Sequence, residues 1–233
     1  MKEYKFSEVE PYFKKRLDNL RKILNSGYRL ESAILALCYI DALGNLFMKV
    51  NRTKKKFLEL IFSYGRVNNF RWDKVNLAES KKIMAVDKLN PRICISCYEI
   101  VEQYANQNTR QYDYCCSRQC IEKDKDLTEV INEISGLSKN KICECSEALL
   151  KYLNDSTYGG ILYNKYRCEG VHRGKFDELW DSLSGHFDEP FYMSVEDSSP
   201  DFSIPPEFII QTFAECLVNL KENFSHPLEL TNA

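Results

Sequence analysis

The chain has 233 residues, 44% of them hydrophobic, enough to fill one large core or two small ones and too many for a disordered segment. No run of about eighteen apolar residues occurs, and the opening MKEYKFSEVE lacks the basic start, apolar stretch and cleavage site of a signal peptide, so a cytoplasmic protein without membrane attachment is expected. The ten cysteines then read as reduced thiols, some holding metal, not as a secreted disulfide scaffold. The net charge of −2 hides a segregation: Met1 to Arg92 carries 20 Lys and Arg against 10 Asp and Glu, while Phe176 to Asp201 holds eight carboxylates and no Lys or Arg. The N-terminal part can therefore present a basic face to a nucleic acid, or simply pair with the acidic remainder on folding.

Ser7 and Glu10 have capping-box spacing, so a helix is predicted to start there, with Phe13, Leu17, Leu20 and Leu24 on its apolar face and an end at Asn25-Ser26-Gly27. Arg29 to Val50 reads as a central buried helix, in which Asp41 needs a partner, most simply in a structural ion pair. Thr53 can cap a third helix, Lys54 to Tyr64, which Gly65 ends. Asn76 to Leu89, Leu127 to Leu137 and Ser146 to Leu153 read as further helices, and Gly159-Gly160 opens another, ILYNKYRCEGVHRG. Helical period continues from Lys175 to Leu183. Phe191 to Val195 and Asp201 to Ile204 suit two short strands, and Pro205-Pro206 begins a last amphipathic helix. The expected architecture is mainly α: a helical bundle from residues 1–89 and 126–233, a cysteine-rich insert at 90–125, and a short C-terminal β-hairpin.

In the insert, Cys94-Ile-Ser-Cys97 is followed, seventeen residues beyond Cys97, by Tyr114-Cys115-Cys116-Ser117-Arg118-Gln119-Cys120. Two short cysteine pairs joined by a loop supply four thiolates to tetrahedral zinc. The YCCSRQC segment resembles the second half of treble-clef zinc fingers, which implies Cys94, Cys97, Cys116 and Cys120 as ligands of a structural zinc, with Cys115, Cys143 and Cys145 as alternates. Between the pairs, EIVEQYANQNTRQYD is polar and lacks the apolar content to fold alone, so metal is expected to supply the missing stability. Cys38 and Cys216 fall on apolar helix faces and read as small core residues.

Of three histidines, His186 and His226 default to surface positions. His172 stands five residues after Arg167, in Leu162-Tyr163-Asn164-Lys165-Tyr166-Arg167-Cys168-Glu169-Gly170-Val171-His172. An imidazole moves a proton near neutral pH and a guanidinium clamps a phosphate, which together suffice for metal-free RNA cleavage. This segment, with the helix pair from about Ser7 to Phe62, resembles the HEPN superfamily, marked by Arg, four to six residues, then His, often within a Tyr-Arg…His stretch. The resemblance implies a homodimeric, metal-independent endoribonuclease of stress response or phage defence. Arg167 would hold the scissile phosphate, His172 would move the proton, and an antitoxin or other defence protein is an implied partner.

Two positions depart from the family pattern. Cys168 follows the Arg where active members often carry Asn or another polar residue, and Gly174 stands where HEPN partners of nucleotidyltransferase antitoxins carry Tyr. The residues alone also admit a bland role, with Arg167 paired to Asp177 or Glu178 and His172 capping a helix end. The competing function is a non-catalytic module that binds RNA or protein, its basic contacts including Lys54, Lys55 and Lys56.

Overall fold

The computed structural model describes residues 5–87, 95–109, 121, 124–137, 146–171, 189–193 and 201–225. They form a mainly helical protein that packs as two compact units: 1–70, 165–188 and 205–233 contribute to unit 1, and 71–164 with 189–204 to unit 2.

Unit 1 is built on four helices: α1 (Phe6–Asn25), α2 (Arg29–Phe47), α3 (Thr53–Tyr64) and α9 (Pro206–Ser225). α2 is apolar on nearly every side, which suits a helix packed against α1, α3 and α9 together. It is long and apolar enough to cross a membrane by length and composition, yet Ala33, Ala36, Leu37, Ile40 and Leu43 are all buried within the unit. Phe13 and Leu20 of α1, Phe57 and Ile61 of α3, and Phe208, Phe213 and Leu217 of α9 complete the core. Gly44 lets α2 approach α3 closely, since a Cβ there would stand 3.0 Å from the Lys56 carbonyl oxygen. Arg29 ties α2 to α9 through a two-armed bridge to Glu207, both contacts at 2.8 Å.

Two helix starts differ from the sequence expectation. α1 begins at Phe6, one residue before Ser7, and no side chain caps it. The buried Phe6 ring, packed on Phe47 and Phe224, draws the first turn into the core, and that packing outweighs the capping box. α3 likewise starts at Thr53 behind Arg52, which takes a φ of +81° in place of a capping hydroxyl.

Unit 2 contains α4 (Leu77–Asp87), α5 (Ile95–Thr109), α6 (Leu127–Leu137), α7 (Ser146–Asp155) and α8 (Tyr158–Ile161). Asn76 caps α4 by accepting from the Glu79 amide at 2.9 Å. Asp126 and Glu129 cap α6 reciprocally, each carboxylate accepting the other's backbone amide. Between the helices, Lys74 bridges to Asp126 and Val75 to Thr157, stitching the strand-like entry of α4 to the segments before α6 and α8. β1 (Phe191–Met193) and β2 (Asp201–Ser203) form the expected antiparallel hairpin, with Tyr192 opposite Phe202.

The segment between the cysteine pairs opens with a helix that the sequence reading did not place. It is polar on average, but α5 places Val101, Tyr104 and Ala105 on one buried face, and the first two join Val75, Leu77, Val130, Ile134 and Leu153 in the core of unit 2. Neighbouring helices supply the rest of the core around this face, so the helix is stabilised by tertiary packing and not by its own apolar content.

Past α8 the chain does not continue as an α-helix. Leu162–Val171 is a π-helix, its backbone bonds closing from i to i+5.

Candidate functional site

Arg167 projects from the π-helix and meets Asp41 of α2. One guanidinium nitrogen donates to Asp41 Oδ2 at 2.7 Å, and the two side chains are only 15% and 13% exposed. The carboxylate that the sequence leaves needing a partner thus finds one 126 residues away. Asp41 Oδ1 is buried without a hydrogen-bond partner, so the pairing satisfies one oxygen and strands the other. Cys38 lies one turn before Asp41. Burial is the largest influence on its thiol and pushes it up, Arg167 pulls it down, and Asp41 adds to the rise. Cys168, beside Arg167, is a half-buried free thiol. Tyr163 and Tyr166 of the π-helix are buried.

His172 lies outside the described residues, as do Asp177 and Glu178, the sequence-level alternatives for Arg167. The structure therefore brings Arg167 together with Asp41 and is silent on the imidazole. Of the cysteine quartet, Cys94, Cys116 and Cys120 also lie outside the described residues, together with Cys115, Cys143 and Cys145. Cys97 is placed by its backbone in the first turn of α5. Among the described residues no cluster of three metal-ligating side chains occurs.

Lys54, Lys55 and Lys56 occupy the first turn of α3. Lys55 is exposed, and the Lys56 ammonium stands 3.5 Å from the Asn45 carbonyl oxygen, near the end of α2. Cations at a helix N-terminus oppose the helix dipole, so this turn gains from an added anion.

A second polar cluster escaped the sequence reading. Asp124, in the charged run Glu122-Lys123-Asp124-Lys125-Asp126, has the pattern of a solvated loop, yet it is 5% exposed and receives the phenols of Tyr158 and Tyr192. Only the tertiary fold brings those three residues together, and no local spacing announces it.

No family model matches the chain, and no curated protein or solved structure is significantly similar to it.

Proposed function

We propose that the chain is a HEPN-type endoribonuclease in which Arg167 and His172 cleave RNA without a metal ion. The observation that carries this reading is the winding of the helix around Arg167. In an α-helix of about 3.6 residues per turn, side chains five apart point about 140° away from each other, too far to serve one phosphate. In a helix that closes from i to i+5, an offset of five returns to nearly the same face. The Arg-x4-His offset is five, and the helix bearing Arg167 is π-wound through Val171. π-Turns are concentrated at functional sites, which adds to the case.

In the proposed reaction the ribose 2′-oxygen attacks the adjacent phosphorus, a 2′,3′-cyclic phosphate forms, and the bond to the 5′-oxygen breaks. His172 moves the proton from the 2′-oxygen to the departing 5′-oxygen, and Arg167 stabilises the charge growing on the phosphate oxygens. Asp41 keeps the guanidinium oriented and neutralised until phosphate competes for it. A homodimer, with an antitoxin or defence protein as regulator, belongs to the same reading. So does a structural zinc on Cys94, Cys97, Cys116 and Cys120, whose four thiolates would leave no open position for water.

The test is incubation of total cellular RNA with the protein and with His172→Ala, EDTA present, followed by analysis of the new ends. Cyclic-phosphate ends from the wild type alone are expected; cleavage absent from both, or equal in both, overturns the proposal. A second reading rests on the three lysines in the first turn of α3. A non-catalytic RNA-binding module would show affinity falling steeply with salt and a shallower slope when Lys54, Lys55 and Lys56 are changed to Gln.

A further inference from the structure

The carboxyl of Asp124 lies inside unit 2 where three chain segments meet. Tyr158, the first residue of α8, donates its phenol to Oδ2, and Tyr192 of β1 donates to the same oxygen at 2.5 Å. The two phenol oxygens stand 3.4 Å apart. Oδ1 is buried and, among the described residues, has no hydrogen-bond partner. The Tyr158 ring stacks on Phe202 of β2 at 4.3 Å, nearly parallel, and Tyr192 packs on the same ring at 5.3 Å, so aromatic carbon walls the group. Lys74 is the cation whose charge reaches the carboxyl, and its ammonium donates to the Ile121 carbonyl oxygen at 2.7 Å.

Both donors converge on one oxygen, and among the described residues none reaches the other, so the buried site matches only one of the two carboxyl oxygens. A neutral acid keeps Oδ2 as its carbonyl oxygen, still accepting both phenols, and leaves one unmatched hydroxyl. A carboxylate leaves an unmatched anionic oxygen buried from water, which is the costlier defect. Against this, the two phenols and Lys74 favour the charge. Burial is the largest influence and outweighs them, raising the carboxyl from its ordinary value to about 7. The Tyr158 phenol is pushed well up, chiefly by burial, and stays a donor throughout.

We propose that Asp124, Tyr158 and Tyr192 form a proton-operated latch: the neutral carboxyl holds the β1–β2 hairpin against α8, and its ionisation loosens that closure by drawing water to Oδ1. The latch stands apart from the ribonuclease reading and survives that reading's failure. Its linkage to pH has a definite sign. Below about 4, the ordinary aspartate range, folded and unfolded chains both carry the proton and the latch contributes fully. Between there and the raised value near 7 the unfolded chain releases its proton first, so stability falls as pH rises, and nothing further is lost above it.

The test uses the full chain with aspartate carboxyl carbons labelled for nuclear magnetic resonance, and Asp124→Asn as the permanently neutral analogue. One carboxyl carbon is expected to titrate between about pH 6 and 8, and to vanish in Asp124→Asn. Between about pH 5.5 and 8.5, protection of the Tyr192 and Phe202 amides against hydrogen exchange should fall about tenfold more in wild type than in the variant. Titration of every aspartate below about pH 5 overturns the proposal, as does a near-neutral titration with parallel protection in the two proteins. If Asp124→Asn fails to fold, the wild-type titration, read together with Tyr192→Phe, decides: the midpoint must rise when one donor to the charged form is removed.

Discussion

Replacing Arg167 by Met should destabilise unit 1 severely, and replacing Asp41 by Leu as well should restore most of the loss. The pair is 2.7 Å apart, and both side chains are more than four-fifths buried. With charge centres about 4 Å apart and an effective dielectric near 20, the attraction is about 4 kcal/mol, close to what desolvation of the two ions costs. Removing one partner leaves the desolvation uncompensated, about 3–5 kcal/mol against a total domain stability of about 5–15 kcal/mol. Removing both deletes the cost with the attraction, so the apolar double variant should stand within about 1 kcal/mol of wild type. Urea unfolding of wild type, Arg167→Met, Asp41→Leu and the double variant gives a coupling energy, expected at about 5 kcal/mol or more from single losses of about 3–5 kcal/mol and a near-neutral double. Single variants costing under about 1 kcal/mol each, with an additive double, would refute a buried pair. For the proposed ribonuclease, loss of cleavage in an Arg167 variant would mix chemistry with folding, so His172 is the cleaner residue to change.

Gly160→Ala should prevent α8 from forming as it stands, since the new Cβ would meet the Asn154 carbonyl oxygen at 2.1 Å and the Asp155 carbonyl oxygen at 2.7 Å. Backbone atoms have nowhere to go, and a loss of more than about 3 kcal/mol is expected in thermal or urea unfolding; a change under about 1 kcal/mol contradicts the close approach. For the proposed zinc, the full chain purified under reducing conditions should hold about one equivalent, and Cys116→Ser or Cys120→Ser should lose it while Cys115→Ser keeps it. Less than about half an equivalent in wild type refutes the site.

Much of the helical framework is legible in the amino-acid order, because α1, α2, α6 and the start of α9 each bury an uninterrupted apolar pattern or carry a strong stop or start residue. Gly27, at φ +89°, ends α1 where the sequence puts the break. Leu127–Leu137 and the short hairpin fall where periodicity and alternation locate them. The π-helix is not legible, for LYNKYRCEGV has no composition that distinguishes an i+5 from an i+4 closure. α5 was hidden by its polar average, since three buried residues per helix lie below what composition detects. At the site, Asp41 advertised a missing partner but not its identity. Asp124 advertised nothing, because a charge run reads as solvated until the fold removes one member from water.

Unit 1 joins the first seventy residues to a helix that begins at Pro206, and this has a consequence for synthesis. α9 supplies Phe208, Ile209, Phe213, Leu217 and Leu220 to a core whose other half, on α1 to α3, leaves the ribosome much earlier. At about 5–20 residues per second the intervening stretch takes roughly seven to thirty seconds to make. Throughout that interval the face of α1 and α2 that α9 will cover, with Phe13 and Tyr39 against Phe213, lacks its final partner and offers an adhesive surface to any nascent or misfolded neighbour. The nascent chain is thus a natural client for a holding chaperone, and its yield in a cell should depend on elongation speed more steeply than its finished stability would suggest.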